Sequence, residues 1–515
     1  MQISFGDSTF SISDAIAIAS KESRGFISDI VKKQILKSSS FVQDIVESGK
    51  IVYGINTGFG PLCDTRISAN ETAKLQSNLL LSHAVGVGKP LDPFLVRLMI
   101  VSKIHALAQG YSGIRLSTIE RIIWFLENDI IPFVPEKGSV GASGDLAPLA
   151  HLFLPLIGHG KVSVNGSEWI STKGALKQLE VSPIELGPKE GLALINGTQF
   201  ILAQSISALN RWKNLLDLAD VIGSISLEAL KGSAAPFDKR LHEIRPFRGN
   251  RLVAQRLRNL LSDSEVLKSH VDCDRVQDPY SLRCMPQVHG ASRNAWLHLK
   301  ELTQIELNSV TDNPIILSSD ETISGGNFHG QPLALALDYA AFAAAELGNI
   351  SDRRCYLMIE GRYELPKLLT PNAGLNSGLM IPQYTTAALV TENKTMCWPA
   401  SADSIPTSLG QEDHVSMGSI SGRKLHQILD NVEYILAIEL LYATQALDFR
   451  RPLKSSELIE QVHELVRNHV SFINEDRLFA DDIQKMHDLV RSNAINELIS
   501  KNKDINDGYE EFELS

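Results

Sequence analysis

Leu425, Ile428, Leu429, Val432, Ile435 and Leu436 recur every three or four residues within residues 418–447. That spacing puts all six on one stripe of a helix. A stripe this long belongs to a helix that hides it against other helices, as in a bundle. Long helices are also expected over 198–230, 291–310 and 332–360. Strand signal is confined to Val162–Ile170, which reads as a hairpin turning at Asn165-Gly166. The expected fold class is therefore mainly α with one small hairpin. The division expected is an N-terminal domain over residues 1–200 and a long-helix bundle over 201–515.

The remaining segments fill in around these helices. Residues 12–48 read as short amphipathic helices, with Ser13 or Asp14 capping the first. Ile51–Gly60 holds three glycines and Tyr53 and reads as a loop. Helices are expected over 71–88 and 93–110. Ser117-Thr118-Ile119-Glu120 reads as a capping box opening a helix to about Asn128. Pro236–Asn250 reads as a break, and residues 454–515 as shorter, more charged helices with a solvated tail after Lys501. Leu333–Ile350 is interrupted by Asp338 and Glu346, which favours a buried helix over a membrane span. A net charge of −11 argues against nucleic acid as a partner. Cys63, Cys273, Cys284, Cys355 and Cys397 are scattered and odd in number, as expected of reduced thiols in the cytoplasm. Met1–Asp7 has neither a basic nor an apolar region, so no secretory signal is expected.

Chemistry concentrates in Gly138-Ser139-Val140-Gly141-Ala142-Ser143-Gly144-Asp145, followed by Leu146-Ala147-Pro148-Leu149. Compressed by a fold, Ala142-Ser143-Gly144 can cyclise. The Gly144 nitrogen attacks the Ala142 carbonyl carbon, and two waters leave, one of them the Ser143 hydroxyl. The product is a methylidene-imidazolone, an electron-poor alkene made from backbone. Glycine at 144 lets its nitrogen approach a carbonyl at strained angles. Asp145–Leu149 reads as a first helical turn, whose dipoles favour developing negative charge. A serine-hydrolase elbow would need glycine where Asp145 stands, and no Gly-Lys-Ser/Thr follows to make a phosphate loop. The whole stretch resembles the signature of the aromatic amino acid ammonia-lyases, in which this electrophile forms autocatalytically.

Further stretches resemble motifs of the histidine-acting branch of that family, in the same order, from about residue 50 to 450. By that resemblance Tyr53 takes the β-proton, and Arg283 holds the substrate carboxylate. Asn196 and Tyr280 hydrogen-bond near the reacting groups, Gln277 lines the pocket, and Phe328 packs by the electrophile. His83 and Glu412 face an imidazole. The resemblance implies release of ammonia from L-histidine to give trans-urocanate, the first step of histidine degradation. It also implies a cytoplasmic homotetramer with shared active sites, and neither a metal nor a diffusible cofactor. Ser82-His83 is the polar pair of the histidine enzymes, where tyrosine relatives are similar to His-Leu and phenylalanine relatives to Phe-Leu. Met285 and Leu409-Gly410 depart from the family pattern and are expected to reshape the pocket edge. His151, His159, His289, His329 and His414 show no paired metal spacing and read as satisfied or surface histidines. The alternative is a tyrosine or other aromatic ammonia-lyase, or a 2,3-aminomutase, of the same family. A homologue that keeps the fold without the electrophile is disfavoured by the intact Ala142-Ser143-Gly144, Tyr53 and Arg283.

Overall fold

The computed structural model describes the chain except Met1, Ser8, Thr9, Cys63, Ala69, Asn70, Cys273, Asp274, Lys503, Asp504, Asn506, Asp507 and Ser515. Two of the five cysteines thus lie outside the described residues. Cys284, Cys355 and Cys397 are free thiols.

Five helices carry the bundle: Gln199–Ala229, Met285–Leu307, Gln331–Ile359, Met380–Met396 and Gly418–Asp448. Gly418–Asp448 packs along both Gln331–Ile359 and Gln199–Ala229, while Met285–Leu307 closes against the latter two. The six residues of the 425–436 stripe are all buried. Gln331–Ile359 is long and apolar enough to cross a membrane, yet 67% of its most apolar window is buried inside the fold. It acts as a bundle core helix.

Charge is buried inside this bundle as well. Arg354 grips Glu439 through two bonds, Nε to Oε1 at 2.5 Å and Nη2 to Oε2 at 2.9 Å. Ser226 and Ser351 donate to the same carboxylate. Asp220 is held by Arg256, Arg293 and His289 Nδ1 at 2.9, 2.6 and 2.9 Å. Burial pushes the Asp220 carboxyl up, yet the Arg293 charge, the His289 bond and the Arg256 charge hold it well below the usual range.

The N-terminal half differs from the sequence reading in several places. The first helix, Ile12–Ala19, is capped by Ser11, whose hydroxyl accepts from Asp14 N while the Asp14 carboxylate answers the cap. The second, Asp29–Ser48, is one helix of 20 residues rather than several short ones. Ser117–Glu120 is not a capping box: the helix Leu116–Glu127 starts earlier, at Arg115, with no side-chain cap. Thr118 Oγ1 instead donates to the buried Glu190 carboxylate at 2.6 Å. Strand is also more widespread than one hairpin. Lys161–Val164 and Ile170–Ser171 pair as expected, but Ile130–Pro132 adds to them, and three further two-stranded sheets occur among the described residues.

One later segment also corrects the reading. The tail after Lys501 is packed: Ile505, Tyr509, Phe512 and Leu514 are buried. Tyr509 Oη donates to Asp217, and Leu514 O accepts from Ser13 N at 3.3 Å. Four apolar side chains in a charged stretch outweigh its polar average, because burial follows the apolar area each can hide.

Candidate active site

The Ala142-Ser143-Gly144 segment is held from three directions. Ser139 Oγ donates to Asp145 Oδ1 at 3.0 Å and accepts from Gly141 N at 3.1 Å, closing the loop on itself. From the start of Gly418–Asp448, Met417 N donates to Val140 O at 2.9 Å and Ser419 Oγ to Ser139 O at 2.7 Å. From the opposite side, Asn196 Nδ2 donates to Ser143 O at 2.9 Å, and Gly197 O accepts from Asp145 N at 2.8 Å. Gly144 has φ +75°, and a Cβ there would sit 2.1 Å from Gly197 O. Gly141 has φ +69°, and its Cβ would meet Ser416 Oγ at 2.2 Å. Only glycine satisfies either position, because both left-handed backbone and contact forbid a side chain.

Asp145 precedes the helix Leu146–Phe153, yet its side chain caps a different one. Asp145 Oδ2 accepts from Phe200 N and Ile201 N at 3.1 and 2.9 Å, the first free amides of Gln199–Ala229. Burial pushes its carboxyl up to about 7, and the bonds from Ile201, Ser139 and Phe200 pull it back only in part.

A cavity of about 1230 Å³ opens over Ser143. Tyr53, His83, Asn196, Phe328 and Glu412 line it with Ala142 and Ser143. Five of the sequence-derived positions, distant in the chain, thus meet at the tripeptide. Tyr53, on its loop, accepts at Oη from Gly60 N at 3.2 Å. Ser143 Oγ donates to Glu412 Oε1 at 2.8 Å, and Thr407 Oγ1 donates to Glu412 Oε2 at 3.1 Å. His83 ends the helix Thr72–His83, with Nδ1 3.0 Å from Ser82 Oγ. Burial lowers the pKa of its imidazole, opposed by a bond to Leu79 and by the Glu412 charge. Phe328 follows a loop whose Gly325 N and Ser324 Oγ donate to Asn313 Oδ1 at 2.7 and 3.2 Å.

Gln277, Tyr280 and Arg283 do not reach this cavity within one chain. Gln277 is exposed, and Tyr280 is 71% exposed. The Arg283 guanidinium lies over the Tyr280 ring, 4.7 Å from its centroid, and its Nε has no hydrogen-bond partner among the described residues. Tyr280 belongs to a separate hollow with Cys284, Glu346 and Arg353. Met285 corrects the expectation of a reshaped pocket edge. It is fully buried in the bundle, where a Cβ on Gly223 would meet its Sδ at 2.6 Å. Leu409 is 96% exposed.

Two cavity residues escaped the sequence reading. His329 and His414 both line the cavity, with rings stacked 5.4 Å apart. Gln331 N donates to His329 Nδ1 at 3.3 Å, so a neutral His329 carries its proton on Nε2. That atom lies 3.2 Å from His414 O and 3.3 Å from His414 Nδ1. The proton of a neutral His414 is then on its own Nε2. Their signal was adjacency: His329 follows Phe328, and His414 stands two residues after Glu412. Among the described residues no cluster of histidines, cysteines and carboxylates is arranged to hold a metal.

The chain belongs to the aromatic amino acid lyase family, whose sequence profile matches residues 10–468. A histidine ammonia-lyase from Idiomarina loihiensis is 47% identical over 472 residues, covering 91% of this chain and 92% of that protein. The crystal structure of histidine ammonia-lyase from Trypanosoma cruzi superposes with a TM-score of 0.90 at 41% identity, covering 97% and 95% of the two chains. The tyrosine aminomutase structure from Streptomyces globisporus gives a TM-score of 0.91 at 33% identity, covering 97% and 99%.

Proposed function

We propose that the chain is a histidine ammonia-lyase, releasing ammonia from L-histidine to leave trans-urocanate, with Ala142-Ser143-Gly144 cyclised to a methylidene-imidazolone. One observation carries this reading: His83 and Glu412 share a cavity with Ser143, and Glu412 bonds directly to the Ser143 hydroxyl. The residues present fit the cyclised group. Gly144 lies against Gly197 with no room for a Cβ, its neighbours are small, and Asn196 holds the Ser143 carbonyl.

The cyclised tripeptide supplies an electrophile that makes the amino group a better leaving group. The side chains do the rest. Glu412 Oε1 is taken by the Ser143 hydroxyl before cyclisation. Loss of that hydroxyl with the departing water frees the oxygen to accept an imidazole N–H. His83, kept neutral by burial, offers a ring nitrogen or its proton to the same imidazole. Tyr53 removes the β-proton. The Gly60 N–H donated to its oxygen helps hold that oxygen in place. Arg283 binds the substrate carboxylate, with Tyr280 and Gln277 beside it, as part of another chain's site. The separate hollow supports that assignment, as does an exposed apolar face on the bundle that includes Leu335, Tyr339 and Tyr384. The assembly proposed is a homotetramer with shared active sites. A cytoplasmic setting agrees with the three free thiols.

The test is incubation with L-histidine, read as urocanate absorbance, beside L-tyrosine and L-phenylalanine. Urocanate is expected from wild type, and Ser143→Ala should fold yet lose nearly all turnover. An unsaturated aryl acid or a β-amino acid as the main product would overturn the histidine assignment. Near-normal turnover by Ser143→Ala would overturn the electrophile.

A further inference from the structure

Lys103 sits in the helix Pro93–Ala108 and is 1% exposed. Its ammonium donates to Asn196 O at 2.6 Å and lies 3.5 Å from Gln199 Oε1. No carboxylate among the described residues pairs with it. The nearby Asp312 gives its carboxylate to Lys189 at 2.7 Å, and that pair is itself buried. A lone ammonium deep in a fold is costly, and methionine would fill the same space without that cost. Burial lowers the Lys103 pKa to about 7, with Asp312 raising it and Lys189 lowering it further. The charge therefore needs a reason beyond packing.

Its one short contact supplies a reason. Asn196 O belongs to the peptide joining Asn196 to Gly197. Asn196 reaches from that peptide to the Ser143 carbonyl, while Gly197 O meets Asp145 N and blocks any side chain on Gly144. The Asn196 side chain leaves the Cα on one side of this peptide, and Gly197 O belongs to the next peptide along, so holding Asn196 O restrains both supports on which residues 143–145 rest. A charge-assisted bond at 2.6 Å is a stiff way to fix it.

We propose that Lys103 is a positioning residue for the electrophile: it locks the Asn196–Gly197 peptide against which the tripeptide is pressed, so that cyclisation and the aim of Asn196 both depend on it. The inference rests on the electrophile reading above, and its test separates the two. Wild type, Lys103→Met and Lys103→Gln are purified and compared by intact mass, by kcat and KM for L-histidine, and by thermal unfolding. Wild type is expected to be lighter than its sequence by two waters. Folded Lys103→Met should contain at least about half its chains with both waters retained, and its cyclised fraction should lose about tenfold in kcat with KM little changed, the signature of misplaced reacting groups. Lys103→Gln keeps a donor but is one bond shorter, and should fall between the two. Full loss of two waters with wild-type kcat in whichever variant folds would overturn the proposal, even if its unfolding temperature dropped, since that pattern marks a packing role. A wild type that keeps both waters would instead overturn the electrophile reading itself, and this proposal with it.

Discussion

At the scale of single residues, selectivity comes down to what an imidazole meets. A polar ring group buried without a partner costs about 1–3 kcal/mol, so a pocket built to bond it rejects a phenyl ring. His83→Leu and Glu412→Gln should each lower kcat/KM for L-histidine by about five- to 150-fold, the range those energies span. Intact mass should stay at the cyclised value in both. Histidine kinetics equal to wild type in both variants would remove these residues as selectors. Most of this site was legible in the sequence because its residues sit in short, distinctive runs. Ser143, Asn196 and Glu412 were each found that way. His329 and His414 were not, because a lone histidine has no periodicity and its partner lies 85 positions away. Asp145 was placed correctly as a helix start, but the helix its carboxylate serves begins 54 residues later, at Gln199 (199 − 145 = 54).

At the scale of elements, buried charge sets the response to pH and mutation. Folded Asp145 keeps its proton up to about pH 7, against an ordinary value of 3.8. The native state therefore binds more protons than the unfolded chain between these values. Stability from this group is full below the unfolded value and falls as pH rises toward 7. Asp145→Asn stays neutral throughout. The gap in unfolding free energy between wild type and Asp145→Asn should shift against wild type between pH 4 and pH 7, by an amount on the order of a few kcal/mol. A gap that does not change with pH would refute the protonated carboxyl. Removing one partner of the Arg354–Glu439 pair should cost about 3–5 kcal/mol, because the other charge is stranded in the bundle. Arg354→Met should lower the denaturation midpoint accordingly, and Arg354→Met with Glu439→Leu should regain part of the loss. The long helices were readable because their stripes repeat over many turns. The start of Leu116–Glu127 was misread by two residues, at Ser117 rather than Arg115, and Thr118 serves a carboxylate brought in from Glu190. No local pattern announces a partner 72 residues away.

At the scale of the whole molecule, one chain holds Ser143, His83 and Glu412 in one cavity, and Arg283 does not line it. A shared site can be tested by mixing. Chains with Ser143→Ala and chains with Arg283→Met should each be nearly inactive alone. Co-expressed, they should regain activity, because some sites then take an intact Ser143 from one chain and an intact Arg283 from another. Absence of any recovery in verified mixed tetramers would show that each site is built from a single chain. The sequence pointed to such sharing only through family resemblance. Distances between chains leave no mark in the local spacing of residues.

The grip on the tripeptide also sets an order of events. Its restraints come from Asn196, 53 positions after Ser143, and from Ser419, 280 positions after Ser139. A nascent chain that has made only its first two hundred residues has no Ser419 with which to close the loop. With the proposed cyclisation, ring closure driven by this compression follows folding, and the two missing waters are a covalent record that a given molecule once reached its native shape. In a mixed preparation, weighing the chains would then count those that had folded, whether or not they remain folded when weighed.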